Sequence, residues 1–167
     1  MRALVVYESM FGSTEDIARE IAKGLSAAMQ VEVTNVDDAP EQPEGFDLVV
    51  AGGPTHVHGM SRASTRESAR KQAVTDIRSR SGLREWMDGL APPTPGTRAA
   101  TFDTRIDKPA WLVGSAAHGA AKGLRRKGYA LAAEPASFFV DGAEPGDLHA
   151  GERERAREWG ASLAGQR

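Results

Sequence analysis

Ser9-Met10-Phe11-Gly12-Ser13-Thr14 sets three hydroxyls and a glycine between an apolar run, Ala3–Tyr7, and a helix-forming segment that begins at Thr14. A strand that enters a helix through such residues exposes backbone N–H groups that have no intrahelical acceptor, together with the positive end of the helix dipole. An anion fits there, and the hydroxyls of Ser9, Ser13 and Thr14 add hydrogen bonds for a phosphate. The six residues include no Lys or Arg, so a phosphate would rest on main-chain dipoles and alcohol groups. A purely structural reading of the same residues is an N-cap at Ser13, with Ser13-Thr14-Glu15-Asp16 resembling a capping box in which Asp replaces Glu. The two roles are compatible.

Other phosphate chemistries are excluded. A P-loop needs Gly-Lys-Ser/Thr, and the dinucleotide fingerprint needs G-x-G-x-x-G after the first strand, where only Gly12 stands. A phospho-accepting receiver would need an acidic pair after the first strand and an Asp after the third. The corresponding stretches read Tyr7-Glu8-Ser9 and Gly52-Gly53-Pro54. The chain has no cysteine, which removes disulfides, thiolate metal sites, iron–sulfur clusters and cysteine nucleophiles together. Any redox role must therefore use a bound cofactor.

The elements that would position the loop follow from periodicity. Ala3–Tyr7 is continuously apolar, as in a strand covered on both faces. From Thr14 to Met29, Ile17, Ile21, Leu25 and Met29 recur every four residues, a helix with one apolar face. Residues 31–36 alternate as a more exposed strand, residues 37–45 form a loop with two prolines, and Phe46–Ala51 is a buried strand ending at Gly52-Gly53-Pro54. Residues 60–91 are helical in composition with a break at Ser79–Gly82, and Pro92–Gly96 is a rigid loop. Arg98–Phe102 makes the fourth strand, and Ala116–Lys127 a helix stopped by Gly128. Tyr129–Val140 makes a fifth strand interrupted near Pro135, and Glu152–Ala164 a closing helix.

Strand and helix alternate, which predicts an α/β fold: a doubly wound, five-stranded parallel sheet in the order 2-1-3-4-5 with helices on both faces. At 167 residues the expectation is a single domain spanning 1–167, which buries about 70% of its unfolded surface. In that topology the turns Ser9–Thr14, Gly52–Met60 and Asp103–Ser115 meet at the carboxyl edge of the sheet, where such folds bind ligands.

With these turns together, the sequence resembles the flavodoxin family. Tyr7–Thr14 is similar to that family's loop for the phosphate of FMN, and Gly53-Pro54-Thr55-His56-Val57-His58-Gly59 to its second flavin loop. Phe102-Asp103-Thr104-Arg105, leading into Trp111, is the weakest of the three likenesses. The resemblance implies that Ser9, Met10, Phe11, Gly12, Ser13 and Thr14 hold the phosphate of FMN. It implies that Pro54, Thr55, His56, Val57, His58 and Gly59 line one side of the ring, and that Asp103, Thr104 and Arg105 line its other edge. Family members reorient a peptide beside the flavin N5 on reduction, and Gly59 is the candidate for it. Trp111, His56 and Met60 are the candidates for flanking the ring, with a packing role the alternative for Trp111. Of His56 and His58, one is expected to contact the ligand and the other to be solvated; two histidines do not make a closed zinc site. His118 and His149 read as surface or helix-end residues.

The resemblance implies non-covalent FMN and an electron-transfer protein that passes electrons between redox partners. Two alternatives stay open: an NAD(P)H-dependent FMN oxidoreductase acting on a quinone or small acceptor, and an interaction module on the same fold that has lost tight flavin binding. Seven basic residues from Arg62 to Arg84 outnumber Glu67 and Asp76 there. They are either a solvated helix face or a docking surface for an acidic redox partner or the phosphates of NADPH. A formal net charge of −2 speaks against nucleic acid. No apolar run reaches membrane-spanning length, no signal peptide is seen, and a cytoplasmic protein is expected. The oligomeric state is left open.

Overall fold

The computed structural model describes residues 1–73, 76–142 and 146–165. β1 (Arg2–Tyr7) pairs in parallel with β2 (Gln30–Asn35) on one side and β3 (Leu48–His56) on the other. β3 pairs in parallel with β5 (Arg98–Ile106). β5 in turn carries two short parallel strands, β6 (Ala130–Leu131) and β7 (Ala136–Val140), the halves of the strand expected to break near Pro135. The doubly wound parallel sheet in the order 2-1-3-4-5 is therefore present, with β5 as the fourth strand and β6 with β7 as the fifth.

The strands of the centre are apolar on both faces because both faces are covered. α1 (Ser13–Leu25) and α6 (Glu152–Ala164) bury Ile17, Ile21, Leu25 and Leu163 against Val5, Leu48, Phe102 and Phe138. The opposite face carries α3 (Leu83–Gly89) and α5 (Ala116–Arg126), which pack Leu83, Trp86, Met87 and Leu124 on Leu4, Val6 and Val49. α1 and α6 approach until a Cβ on Gly24 would lie 2.0 Å from the Arg157 carbonyl oxygen and one on Gly160 would lie 2.2 Å from that of Ile21. Bulkier residues at either position would push the pair apart.

Three differences from the sequence reading bear on the site. α1 ends at Leu25 instead of Met29, although Met29 stays buried. β3 runs on through Gly52-Gly53-Pro54 to His56, and β5 runs on to Ile106: the two hold each other in register out to Pro54 opposite Thr104, and beyond that Gly59-Met60 pairs with β3 and β7 with β5. The segment 60–91 holds less helix than its composition suggests. β4 (Gly59–Met60) turns back on β3, α2 spans Ala63–Gln72, and the described residues between α2 and α3 are irregular; Val74 and Thr75 of the predicted helix lie outside the described residues. A four-residue helix, α4 (Ala110–Val113), follows β5. Among the described residues no helix is long and apolar enough to cross a membrane.

Candidate functional site

β1 delivers the chain to the carboxyl edge, and Gly12 turns it into α1. Gly12 is the residue before the helix, at φ +112°, a backbone that L side chains rarely adopt. Ser13 is consequently the first helical residue and not the N-cap expected from the sequence. Its hydroxyl donates to the Gly146 carbonyl at 2.9 Å. The capping is done instead by Ser9, whose Oγ accepts from the N–H of Gly12 (3.1 Å) and of Glu15 (3.4 Å). Ser9 is itself fixed through Ser79, which accepts from the Ser9 N–H and donates its own N–H to the Ser9 carbonyl, both at 2.9 Å. The N–H groups of Met10, Phe11, Ser13 and Thr14 have no acceptor among the described residues. They face the requirement of every helix start, donors without a partner.

These residues form one end of a cleft of about 550 Å3. Ser9, Met10, Phe11, Ser13 and Thr14 line it with Pro54, Thr55, His56, Val57 and His58 from the second loop and with Thr104 and Arg105 from β5. Five candidates do not line it, Gly12 at the turn into α1 among them. Gly59 faces a neighbouring groove, as does Met60. Asp103 is fully buried beneath the cleft. Trp111 is 85% exposed on α4, neither in the core nor on the cleft wall; its neighbours Leu112 and Val113 line the wall instead. Sequence reasoning also missed α2, which presents Thr65, Ser68, Ala69 and Gln72 to the cleft. Their spacing of three and four residues marks one helical face, the signal that could have found them.

Two threonines close the first loop onto β5, with the Thr14 and Thr104 hydroxyls 2.7 Å apart. The second and third loops touch through their backbones: Gly114, at φ +79°, lies so close to His58 that a Cβ there would sit 2.2 Å from its main chain. Arg105 spends its guanidinium on the third loop, donating to Ser137 Oγ at 3.0 Å and to the Lys108 carbonyl while lying over the Phe139 ring. Asp103 accepts from Ser115 Oγ (2.6 Å), Ala117 N–H (2.9 Å) and Thr55 Oγ1 (3.2 Å), and so ties β3, β5 and the start of α5 into one unit.

Two guanidinium groups share one carboxylate beside the first loop. Arg78, distant in sequence, donates its N–H to the Met10 carbonyl at 3.1 Å and lays its guanidinium behind Gly12. It pairs with Glu15 at 2.7 Å, as does Arg19 from the other side. Burial would raise the Glu15 carboxyl, but the bonds from Arg19 and Arg78 outweigh it and hold it below the usual range. Arg66 is neutralised, buried and bonded to Glu85 at 2.7 Å and to Ser61 at 2.8 Å. The basic stretch is thus not one solvated face. Burial, helped by the Arg66 charge, lowers the His56 imidazole, so the ring is neutral at pH 7.

Glu8, at the end of β1, is almost fully buried and accepts from the Leu83 N–H at 2.7 Å. Burial pushes its carboxyl up, only partly offset by the Ser61 hydroxyl, the Leu83 N–H and the Arg66 charge. The folded protein therefore binds this proton more tightly than the unfolded chain. The associated stability is present below the ordinary glutamate range and lost as pH rises through the folded value. Glu8→Gln keeps an acceptor for Leu83 without the ionisation. Urea titrations should show the variant equal to the parent at pH 4 and more stable by on the order of 1 kcal/mol at pH 8.

The tip of the second loop carries strain. Val57 and His58 both have positive φ, +39° and +70°, in a two-residue turn between the paired positions His56 and Gly59. Such turns favour Asn-Gly, and a β-branched residue there is an outlier. Val57 is 80% exposed, so packing does not repay the conformation. The double change Val57→Asn with His58→Gly should raise stability by about 1 kcal/mol, read as an upward shift of the melting temperature.

The comparisons with known proteins agree with this geometry. A search of solved structures finds a flavodoxin from the domain Archaea (17% identity, TM-score 0.65, covering 98% of this chain and 96% of that one). It also finds oxidised Flavodoxin 1 from Bacillus cereus (19% identity, TM-score 0.65, 98% and 97%). A WrbA-like flavodoxin from Agrobacterium tumefaciens is similar at 17% identity and TM-score 0.58, covering 98% and 94%. At these identities the likeness establishes the fold. The sequence model of the flavodoxin family matches residues 5–92, just over half of the chain, and that stretch carries both the helix-start loop and the strained second loop. By that match, the chain belongs to the flavodoxin family.

Proposed function

We propose that the protein binds FMN non-covalently, as a single domain, and carries electrons between redox partners. The observation that carries this reading is the row of unpartnered N–H donors at Met10, Phe11, Ser13 and Thr14, set at one end of a cleft with the volume of a small-molecule site. A phosphate fits donors of this kind, and the flanking walls fit a flat ring system. FMN, when bound, supplies the redox chemistry that a cysteine-free chain lacks. Ser9–Thr14 would hold the phosphate. Pro54–His58 would lie along one side of the ring, with Thr104, Leu112 and Val113 on the other. Asp103 and Gly114 act as positioning residues: they fix the two ring-facing loops relative to each other.

Partner docking is supported by the exposed apolar side chains. Val57, Trp111 and Leu112 are three of the four large hydrophobics exposed among the described residues, and all three cluster at the cleft mouth or beside it. Apolar surface so placed suits a transient contact with another protein. The test is a fluorescence titration of FMN with the purified protein, in which stoichiometric quenching is expected and its absence would eliminate the reading. Anaerobic mixing with NADPH then separates a carrier from an NAD(P)H-dependent oxidoreductase. A carrier keeps its flavin absorbance on that timescale; rapid bleaching would identify the enzyme.

A further inference from the structure

A second groove, of about 580 Å3, lies on the far side of the Val57–His58 tip, and these two residues border both cavities. Arg62, Arg84, Lys122 and Arg126 line it, against the single carboxylate of Asp88. None of the four cations forms an ion pair with a carboxylate among the described residues. Like charges gathered in a concavity repel, and the arrangement is costly unless something anionic occupies it. Arg84 is the clearest case: its Nη2 donates to the Met60 carbonyl at 3.3 Å, but its Nε is buried with no acceptor among the described residues.

The floor points the same way. Lys122 and Arg126 project from one exposed face of α5, and Gly119 and Gly123 form the half-buried strip beside them. A Cβ on Gly123 would lie 2.1 Å from Met87 Cε, the end of a flexible side chain that would have to move aside. A Cβ on Gly119 would require no shift, meeting only Met60 at an ordinary 3.5 Å. A mid-helix glycine costs about 1 kcal/mol relative to alanine, and here it keeps the floor of the groove open instead of relieving a clash.

We propose that this groove is a second anion site, for a small molecule carrying two or more linked phosphoryl groups. Three guanidinium groups suit phosphate oxygens, which they can bind in pairs, and their spread over Arg62, α3 and α5 favours a linked pair of phosphates over a single one. The concave shape favours a small molecule over the flat acidic surface of a protein. A ligand so held would extend towards the tip shared with the flavin cleft.

The probe is inorganic pyrophosphate, titrated at low salt by calorimetry and by amide shifts on α5. Saturating FMN is present so that the phosphate loop is already filled. Saturable one-to-one binding is expected, about tenfold or more tighter than orthophosphate. Lys122→Gln with Arg126→Gln should weaken it by about tenfold or more, roughly 1.4 kcal/mol. Gly119→Ala should weaken it as well while leaving the melting temperature equal or higher, which a merely damaged fold would not do. The same titration without FMN keeps the two readings apart, because the groove should bind whether or not FMN is taken up. The proposal is overturned if pyrophosphate fails to saturate by about 10 mM, if the α5 changes leave its affinity untouched, if pyrophosphate merely displaces FMN, or if only an acidic polypeptide binds.

Discussion

Ser13→Asp should lower FMN affinity by about a hundredfold while the flavin-free protein melts within a few degrees of the parent. Ser13 is the first residue of α1 and lines the cleft. A carboxylate there would share this end of the cleft with the FMN phosphate, and a separation of about 5 Å sets the scale of the effect. Two like charges at that separation repel by about 3 kcal/mol at an effective dielectric of about 20, which converts to about two decades in Kd. In the flavin-free protein the same carboxylate sits on the positive end of the helix dipole, worth about 0.3–1 kcal/mol. That gain is set against the lost bond to the Gly146 carbonyl, worth about 1 kcal/mol. Ser13→Asn, neutral and close in size, should stay within about tenfold of the parent. Riboflavin, which lacks the phosphate, supplies the control: its affinity should not change in Ser13→Asp. An aspartate variant that binds FMN within about threefold of the parent would place the phosphate elsewhere.

How much of this was legible in the sequence depends on whether the signal was local. The buried strands, the amphipathic α1 and α6 and the interruption at Pro135 are written in residues a few positions apart, and the order of the sheet follows from their alternation. The ends of β3 and β5 were not readable. Gly52-Gly53-Pro54 looks like punctuation, and only the neighbouring strand keeps it extended as far as Pro54. That extension decides the role of Asp103. In a strand continuing past Phe102, Asp103 shares a face with Thr101, whose hydroxyl donates to the Ala117 carbonyl of α5, while Thr104 shares a face with Phe102 and reaches Thr14. Read as a turn residue, Asp103 belongs to the ligand; read as a strand residue, it belongs to α5. Arg78 had no local signal at all, because only the tertiary fold carries it behind Gly12. Trp111 was misread for the converse reason. Pro109-Ala110-Trp111-Leu112-Val113 has the composition of a core strand, but four residues of helix beyond the end of β5 leave the indole in solvent.

Asp103→Ala should cost about 3 kcal/mol of folding stability and lower the melting temperature by about 10 °C. The carboxylate is fully buried, and its Oδ2 is the acceptor for Ser115 Oγ, the Ala117 N–H and Thr55 Oγ1. Alanine would remove that acceptor and leave buried donors stranded at the start of α5, each costing about 1–3 kcal/mol unless water reaches it. Asp103→Asn retains one oxygen for Ser115 and Ala117, so its loss should be near 1 kcal/mol; its amide would then face Arg105, whose Nε lies 4.0 Å from Oδ1. Thr55 belongs to the cleft wall and Ser115 follows Gly114, on which the His58 backbone rests. Loosening Asp103 therefore frees both ring-facing loops at once while leaving Ser9–Thr14 in place. FMN and riboflavin should lose affinity in the same proportion in Asp103→Ala, in contrast to the selective loss of FMN in Ser13→Asp. Equal melting temperatures for Asp103→Ala and the parent would mean that water satisfies the stranded donors, and the aspartate would then have no claim to position the loops. A selective loss of FMN over riboflavin in that variant would instead mean that Asp103 acts on the phosphate end of the cleft, through the contact between Thr104 and Thr14.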